Sequence, residues 1–289
     1  MDEKIKLIDQ DNNSGRVASY VAPLLYKIHN EDCRTTLAKL PDECIDLVVT
    51  SPPYDDLRAY KGYEFDFEVF TQIAKELFRT MKAGGVIVWV VNDATRNGSE
   101  TLTSYKQALF FREGCGFNLH DTMIYKKKNY MPTNEQMKRY AQSFEYTFII
   151  SKGSPKVFNP IKEDCKYFGT GTSGKFRNKN GTLEGGGRKI NEEKIIDNVW
   201  EYDVGNFRST KDNEAFTHPA TFPEKLAEDH IKTWSNENDI IYDPFSGSGT
   251  TCKVADRLGR AWLGSEIAEE YCSVALRRIT SDLFNQAST

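Results

Sequence analysis

The sequence predicts an α/β protein built on a doubly wound, mostly parallel sheet. Three observations carry this expectation. Short β-branched apolar runs have the character of buried parallel strands, stretches of helical apolar period separate them, and glycine or proline marks each change of period. The 289 residues, 39% of them hydrophobic, suffice for one large core.

Residues 1–20 are polar and read as a flexible arm. A short strand over Leu25 to Ile28 leads through Asn30-Glu31-Asp32-Cys33 to a helix from Arg34 to Leu40, which the turn signal Pro41-Asp42 closes. Cys44 to Thr50 is a buried strand, and it must stop at Ser51-Pro52-Pro53 because neither proline can donate to a ladder. Val69, Phe70, Ile73, Leu77, Phe78 and Met81 recur at helical spacing, with Gly84-Gly85 separating that helix from a strand over Val86 to Val91. A helix from Ser104 to Glu113 and strands over Asp121 to Lys126 and Tyr146 to Ser151 follow. Residues 152–216, rich in glycine, lysine and asparagine, lack apolar periodicity and read as an insert. Order returns with a helix within Pro219 to Thr233, a strand over Asp239 to Asp243, a helix from Gly249 to Leu258, a strand over Ala261 to Ser265 and a last helix from Ala268 to Phe284. The plan is an arm (1–20), one half-domain (21–151), an insert (152–216) and a second half-domain (217–289).

No apolar run is long enough to span a bilayer and the first residues lack a signal-peptide pattern, so a soluble, cytoplasmic protein is expected. Six scattered cysteines, without a CxxC pair or Cys/His metal spacing, suit a reducing compartment and predict neither disulfides nor a metal. The formal net charge is −4, yet between Lys126 and Lys189 fourteen basic residues face five acidic ones. A basic middle suits an anionic partner better than the average charge suggests.

Asp243-Pro244-Phe245-Ser246-Gly247-Ser248-Gly249-Thr250-Thr251 stands between a strand and a helix. Its glycines let backbone approach a ligand closely, and the helix start offers unpaired N–H groups. Phosphate is the first alternative ligand, but the P-loop lysine and the GxGxxG spacing are both missing. Glu266, at the end of the next strand, stands where a carboxylate can accept both hydroxyls of a ribose; the plainer alternative is an acid complementing a helix start.

Ser51-Pro52-Pro53-Tyr54 sits at the carboxyl end of another strand. Methylating an aromatic amino group requires acceptors that draw its hydrogens aside and aim the nitrogen lone pair at the methyl. Ser51 Oγ is one acceptor, a carbonyl fixed by the proline pair is another, and Tyr54 offers a face for an extruded base. A strand-ending turn with a packed tyrosine is the plain alternative.

Together these residues resemble the amino-methyltransferases of bacterial and phage DNA modification. SPPY is similar to the family's (D/N/S)PP(Y/F) motif and DPFSGSG to its FxGxG cofactor motif, in the permuted order of the β group. His218-Pro219-Ala220-Thr221-Phe222-Pro223 resembles the segment before the cofactor loop, and Asp32 lies where a family acid approaches the cofactor's adenine. The resemblance covers residues 25–151 and 217–280. It implies a circularly permuted, seven-stranded Rossmann-like methyltransferase fold with its catalytic half at 21–151 and its cofactor half at 217–289.

The implied cofactor is S-adenosyl-L-methionine, held by Asp32, Asp243, Pro244, Phe245, Ser246, Gly247, Ser248, Gly249, Thr250, Thr251, Glu266, His218, Pro219 and Phe222. The implied catalytic set is Ser51, Pro52, Pro53 and Tyr54. The implied partner is double-stranded DNA, with a cognate restriction endonuclease as a further candidate and a monomer or homodimer as the working form. The basic insert corresponds to the family's target-recognition region, giving Lys126, Lys128, Lys175, Arg177, Lys179, Arg188 and Lys189 as expected DNA contacts.

A leading serine is more typical of cytosine N4 enzymes in this family, and adenine N6 is the alternative. Cytosine C5 chemistry needs a thiolate nucleophile, and no Pro-Cys pair occurs. Rival readings are a catalytically silent DNA- or cofactor-binding subunit and a methyltransferase acting on RNA or protein; the intact motifs and the Gly/Lys insert speak against them.

Overall fold

The computed structural model describes residues 19–53, 65–171, 175–185, 189–205, 208–210, 212, 215 and 222–287. Residues 1–18 of the expected arm, Tyr54, His218, Pro219 and Arg188 lie outside the described residues. Residues 159–198 make a compact unit of their own, and the remainder carries the main sheet. This separate unit is narrower than the insert expected over 152–216.

The sheet strands are β1 (Lys27–His29), β2 (Ile45–Thr50), β3 (Met81–Val91), β4 (Asn118–Lys127), β5 (Phe144–Ser151), β6 (Val199–Tyr202), β7 (Ile240–Asp243) and β8 (Ala261–Ser265). The helices are α1 (Cys33–Lys39), α2 (Phe67–Thr80), α3 (Thr103–Leu109), α4 (Glu224–Trp234), α5 (Thr250–Arg257) and α6 (Glu269–Ala287). Among the described residues the sheet has eight strands in the order β1-β8-β7-β2-β3-β5-β4-β6. Pairing is parallel from β1 through β3 and again between β4 and β6, and antiparallel on both sides of β5.

Alternate residues of the strands feed two apolar layers, as a sheet covered on both faces requires. One layer joins Val48, Ile87, Trp89, Phe148, Tyr242 and Leu263 to α1, α2 and α3. The other joins Leu47, Val49, Val88, Ile149, Ile241 and Trp262 to α4, α5 and α6. Asp66 caps α2 by accepting from the Val69 N–H, and the chain turns extended at Met81. β3 therefore begins before Gly84-Gly85: Ile45 pairs with Met81 and Leu47 with Val86, so residues 82–85 form an irregular step in the ladder.

The eighth strand departs from the seven-stranded expectation. Val199–Tyr202 forms the sheet edge, runs parallel to β4 and sends alternate aromatic side chains toward α4. Trp200 stacks on His230 with centroids 4.9 Å apart, and Tyr202 donates to Asp229 Oδ2 at 3.1 Å. Four residues of strand inside a polar, glycine-rich stretch leave too short a pattern for periodicity to register. Residues 159–198 form two small antiparallel ladders, Lys162–Asp164 with Glu193–Ile195 and Lys175–Arg177 with Leu183–Gly185.

His230 is fully enclosed, and burial holds its pKa down from 6.5 to about 3. The folded state thus binds fewer protons at this site than the unfolded chain. Its contribution to stability is complete above pH 6.5 and is lost as pH falls from there toward 3, at up to about 1.4 kcal/mol per pH unit. His230→Phe keeps a ring against Trp200 and removes the titration. Thermal denaturation across this range should show a flatter acid limb for the variant; an unchanged limb would place the acid sensitivity elsewhere.

Candidate active site

β7 and β2 lie side by side and parallel, with Tyr242 opposite Val48, so Asp243 and Ser51 follow from neighbouring strand ends. Carboxyl ends of adjacent strands are about 4.8 Å apart, and open α/β sheets bind ligands there. Two buried threonines fasten this edge. Thr50 Oγ1 donates to Asp243 Oδ1 at 2.6 Å, and Thr251 Oγ1 donates to the Val49 carbonyl at 3.0 Å. Asp243 Oδ1 also accepts the Phe245 N–H at 3.1 Å, which starts the turn after the strand.

The glycine-rich loop is moulded between β8 and α6. The Ser246 N–H donates to the Ser265 carbonyl at 2.9 Å, bringing the loop onto β8. Gly264 of β8 has to lack a side chain, because a Cβ there would stand 2.4 Å from Ser246 Oγ and 2.9 Å from Cys252 Sγ. Gly249 has φ +78°, and a Cβ on it would meet Ala275 Cβ of α6 at 2.7 Å. Pro244, Ser246, Gly247, Ser248, Thr250 and Thr251 are all buried. The half-buried Phe245 ring lies edge-on to Trp89 and Phe65 at 6.1 and 5.2 Å, so it anchors the loop in the core.

Glu266 joins the loop to the last helix. Its Oε2 accepts the Gly247 N–H and its Oε1 the Ala268 N–H, each at 2.9 Å. Burial raises its pKa against these two bonds and a further one from the Ile267 N–H. A carboxylate offers about four acceptor sites, so capacity remains for a ribose hydroxyl. Asn30 Nδ2 donates to the carbonyls of Glu266 and Ile267 at 3.0 and 3.1 Å, which draws the end of β1 to the same place. Asp32 acts locally, capping α1 at the Arg34 N–H and pairing with the Arg34 guanidinium at 2.7 Å, which lowers its pKa.

Asp243 is the electrostatic centre of the edge. Burial pushes its pKa up to about 6 despite hydrogen bonding from Thr50, Phe245 and Thr251. Its Oδ2 is buried and has no hydrogen-bond partner among the described residues. A carboxylate so placed is poised for positive charge.

Ser51 and Pro53 are half-buried and Pro52 is buried. Phe222 is half-buried against the layer that contains α4 and α5, just before α4. Lys126 is paired with Glu201 at 2.5 Å, Lys127 with Glu145 at 2.6 Å and Lys128 with Asp203 at 3.7 Å. Exposed ion pairs contribute little to stability, so phosphates could displace the carboxylates from Lys126 and Lys128. Lys175, Arg177, Lys179 and Lys189 are exposed within the 159–198 unit.

Thr50, Gly264 and Arg278 also shape this edge, and sequence reading did not single them out; Thr251 was expected there, but not its bond to the Val49 carbonyl. For Arg278 a signal existed: it interrupts the apolar stripe Cys272, Ala275 and Ile279 of the final helix.

The loop geometry makes a stability prediction. Gly249→Ala places a side chain in left-handed backbone, costing about 1–2 kcal/mol, and adds overpacking of about 1–3 kcal/mol against Ala275. Denaturant unfolding should show that loss, and Ala275→Gly in the same chain should recover part of it. Full stability in the Gly249→Ala protein would contradict the packing described.

Known proteins are similar to this chain. A family model described as DNA methylase, of the N6/N4 type, matches residues 45–277. The orphan methyltransferase M.BamHII of Bacillus amyloliquefaciens is 49% identical over 251 residues, covering 82% of this chain and 89% of that protein. The type II methyltransferase M.BglII of Bacillus subtilis is 28% identical over 273 residues, covering 92% and 72%. Among solved structures, the PvuII DNA methyltransferase (cytosine-N4-specific) has a TM-score of 0.64 at 22% identity, covering 89% of this chain and 92% of that one. M1.HpyAVI, solved as a SAM complex, has a TM-score of 0.58 at 24% identity, covering 88% and 98%. The structural likenesses, at these identities, speak for the shared fold. The family match over most of the chain speaks for more: this protein belongs to the N6/N4 DNA methylase family and is a DNA amino-methyltransferase.

Proposed function

We propose that this protein transfers a methyl group from S-adenosylmethionine to N4 of cytosine in double-stranded DNA. The single observation that carries the choice of base is the serine that leads the SPPY motif, a residue more typical of cytosine N4 enzymes in this family.

The residues present fit the cofactor. Glu266 follows β8 with acceptor capacity left on its carboxylate, as ribose recognition needs. The buried, partly unsatisfied carboxylate of Asp243 suits a ligand that carries positive charge. Gly249 and Gly264 keep the loop free of side chains where backbone crowds against its supports. When bound, S-adenosylmethionine supplies an electrophilic methyl group on a sulfonium.

The protein itself has to present the nucleophile. The cytosine amino nitrogen is conjugated with its ring, and its lone pair becomes available as the nitrogen moves toward tetrahedral geometry. Ser51 Oγ and a carbonyl of the Pro52-Pro53 turn accept the two amino hydrogens and hold that geometry. Tyr54 provides a face for the base once it has left the duplex. A serine hydroxyl is a weak base, so Ser51 orients the amino group, and the proton departs after methylation has made the nitrogen cationic. The exposed basic residues of the 159–198 unit, with Lys126 and Lys128, are assigned to phosphate contact and target recognition.

Mass spectrometry of nucleosides from duplex DNA treated with the protein and labelled cofactor tests the proposal. N4-methylcytosine is the expected product. N6-methyladenine would overturn the choice of base, and the absence of any methylated nucleoside would overturn the activity. Ser51→Ala should bind cofactor normally by calorimetry and lose on the order of 10²–10³ in turnover, as for removal of one preorganised polar group. Unchanged turnover would remove Ser51 from the acceptor role.

A further inference from the structure

One side chain stands out among the buried charges. Arg278, on the face of α6 turned to the glycine-rich loop, has no solvent exposure at its side chain. Its Nη1 donates to the Ser248 carbonyl, to Ser248 Oγ at 3.0 Å and to Thr250 Oγ1 at 3.3 Å. Its Nε donates to Asp212 Oδ2 at 2.7 Å and its Nη2 to Glu224 Oε1 at 3.2 Å. One guanidinium therefore spans three oxygens on either side of Gly249 and two carboxylates from another part of the chain.

The surroundings show that this charge is not needed merely to dock the helix. Cys272, Ala275 and Ile279 already bury α6 in the apolar layer, and an arginine without solvent is costly to place beside them unless each of its donors is used. Its fixed fork suits directional holding of several oxygens at once. One helical turn earlier, Ala275 is small enough to admit Gly249. The same face of α6 thus leaves room for the left-handed glycine and grips the residues on both sides of it.

The two carboxylates give the contact its reach. Asp212 and Glu224 stand on either side of the segment that contains His218, Pro219 and Phe222, and both are bonded to Arg278. Glu224 also accepts from Thr210 Oγ1 at 2.6 Å and pairs with Lys253 at 3.0 Å and Arg257 at 3.4 Å. Lys253 lies 3.5 Å from Asp212 as well. Arg257 shares Glu224 but touches none of the loop oxygens that Arg278 holds among the described residues.

We infer that Arg278 is a positioning residue for cofactor binding: it fixes the Ser248–Thr250 backbone of the glycine-rich loop and staples to it both ends of the segment 212–224. The inference rests on the reading of that loop as the S-adenosylmethionine site. Arg278 need not touch the cofactor itself. Its effect passes through the loop's conformation, so it should appear in cofactor affinity and not in the chemistry of the bound complex.

Full-length wild-type, Arg278→Lys, Asp212→Asn and Arg257→Met proteins test this by S-adenosylmethionine calorimetry, steady-state kinetics, DNA affinity and thermal denaturation. Lysine keeps the charge but cannot hold all five acceptors. Arg278→Lys should weaken cofactor binding and raise its KM by about ten-fold or more, with kcat at saturating cofactor and DNA affinity little changed. Asp212→Asn should act in the same direction, and the double variant should be little worse than Arg278→Lys alone. Arg257→Met should lower thermal stability and leave cofactor affinity unchanged, because it loosens Glu224 and Glu228 while the Arg278 bonds to the loop stay in place. Wild-type cofactor KM in a folded Arg278→Lys protein would overturn the inference, as would an equal rise in KM from Arg257→Met. Should Arg278→Lys fail to fold, Asp212→Asn decides: wild-type cofactor affinity there also overturns it. Failure of the wild-type protein to bind S-adenosylmethionine would instead overturn the reading of the loop.

Discussion

The hydrogen bond from Thr50 to Asp243 joins the ends of two parallel strands that come from opposite ends of the chain, 193 residues apart. It is short, buried and made to a carboxylate, which places it among the stronger hydrogen bonds of a protein interior. On one side of it the chain enters SPPY, and on the other it enters the glycine-rich loop. Thr251 adds a second tie across the same boundary through the Val49 carbonyl. The relative position of the two motifs is therefore set within the sheet, by strand register and two threonine hydroxyls.

The glycine-rich loop depends on surfaces that the rest of the fold supplies. β8 passes close enough to demand Gly264, α6 closes over Gly249, and Glu266 takes up the Gly247 N–H. Phe245 is drawn into the apolar layer that contains Trp89. The buried charge on Asp243 works against folding once ionised. Its raised pKa means that the folded state holds this proton more tightly than the unfolded chain, so stability from this site falls as pH rises from the usual carboxylate range through about 6. Keeping an acid there at a cost in stability fits a group retained for a charged ligand.

The strands and helices were legible in the sequence because β-branched runs and helical apolar period are strong local signals. Each motif was ambiguous singly, since proline turns and glycine-rich turns have plain structural uses, and it was their order along the chain and their joint resemblance to one family that made them readable. The eighth strand was hidden because Trp200 and Tyr202 form only two alternate positions inside a polar stretch, too few to reveal a period. Thr50 was hidden because a threonine ending a strand is ordinary until its partner across the sheet is known, and for Thr251 only the tie to Val49 was hidden. The triple lysine at 126–128 shows the converse: it reads as a free basic run, yet each lysine has a carboxylate beside it in the fold. Long-range pairing carries no local trace in sequence, and the missed parts of the site are those built by it.

If the strand-edge junction aligns the two halves of the site as one unit, Thr50 and Asp243 must act together. The most direct measurement is a double-mutant cycle with Thr50→Val and Asp243→Asn, read as the single-turnover rate of methyl transfer with both substrates saturating. Acting through one contact, the two side chains should give a combined loss that falls short of the product of the single losses by about ten-fold or more. Rate losses that simply multiply would show that Thr50 and Asp243 act independently, and would contradict the alignment of the site through this junction.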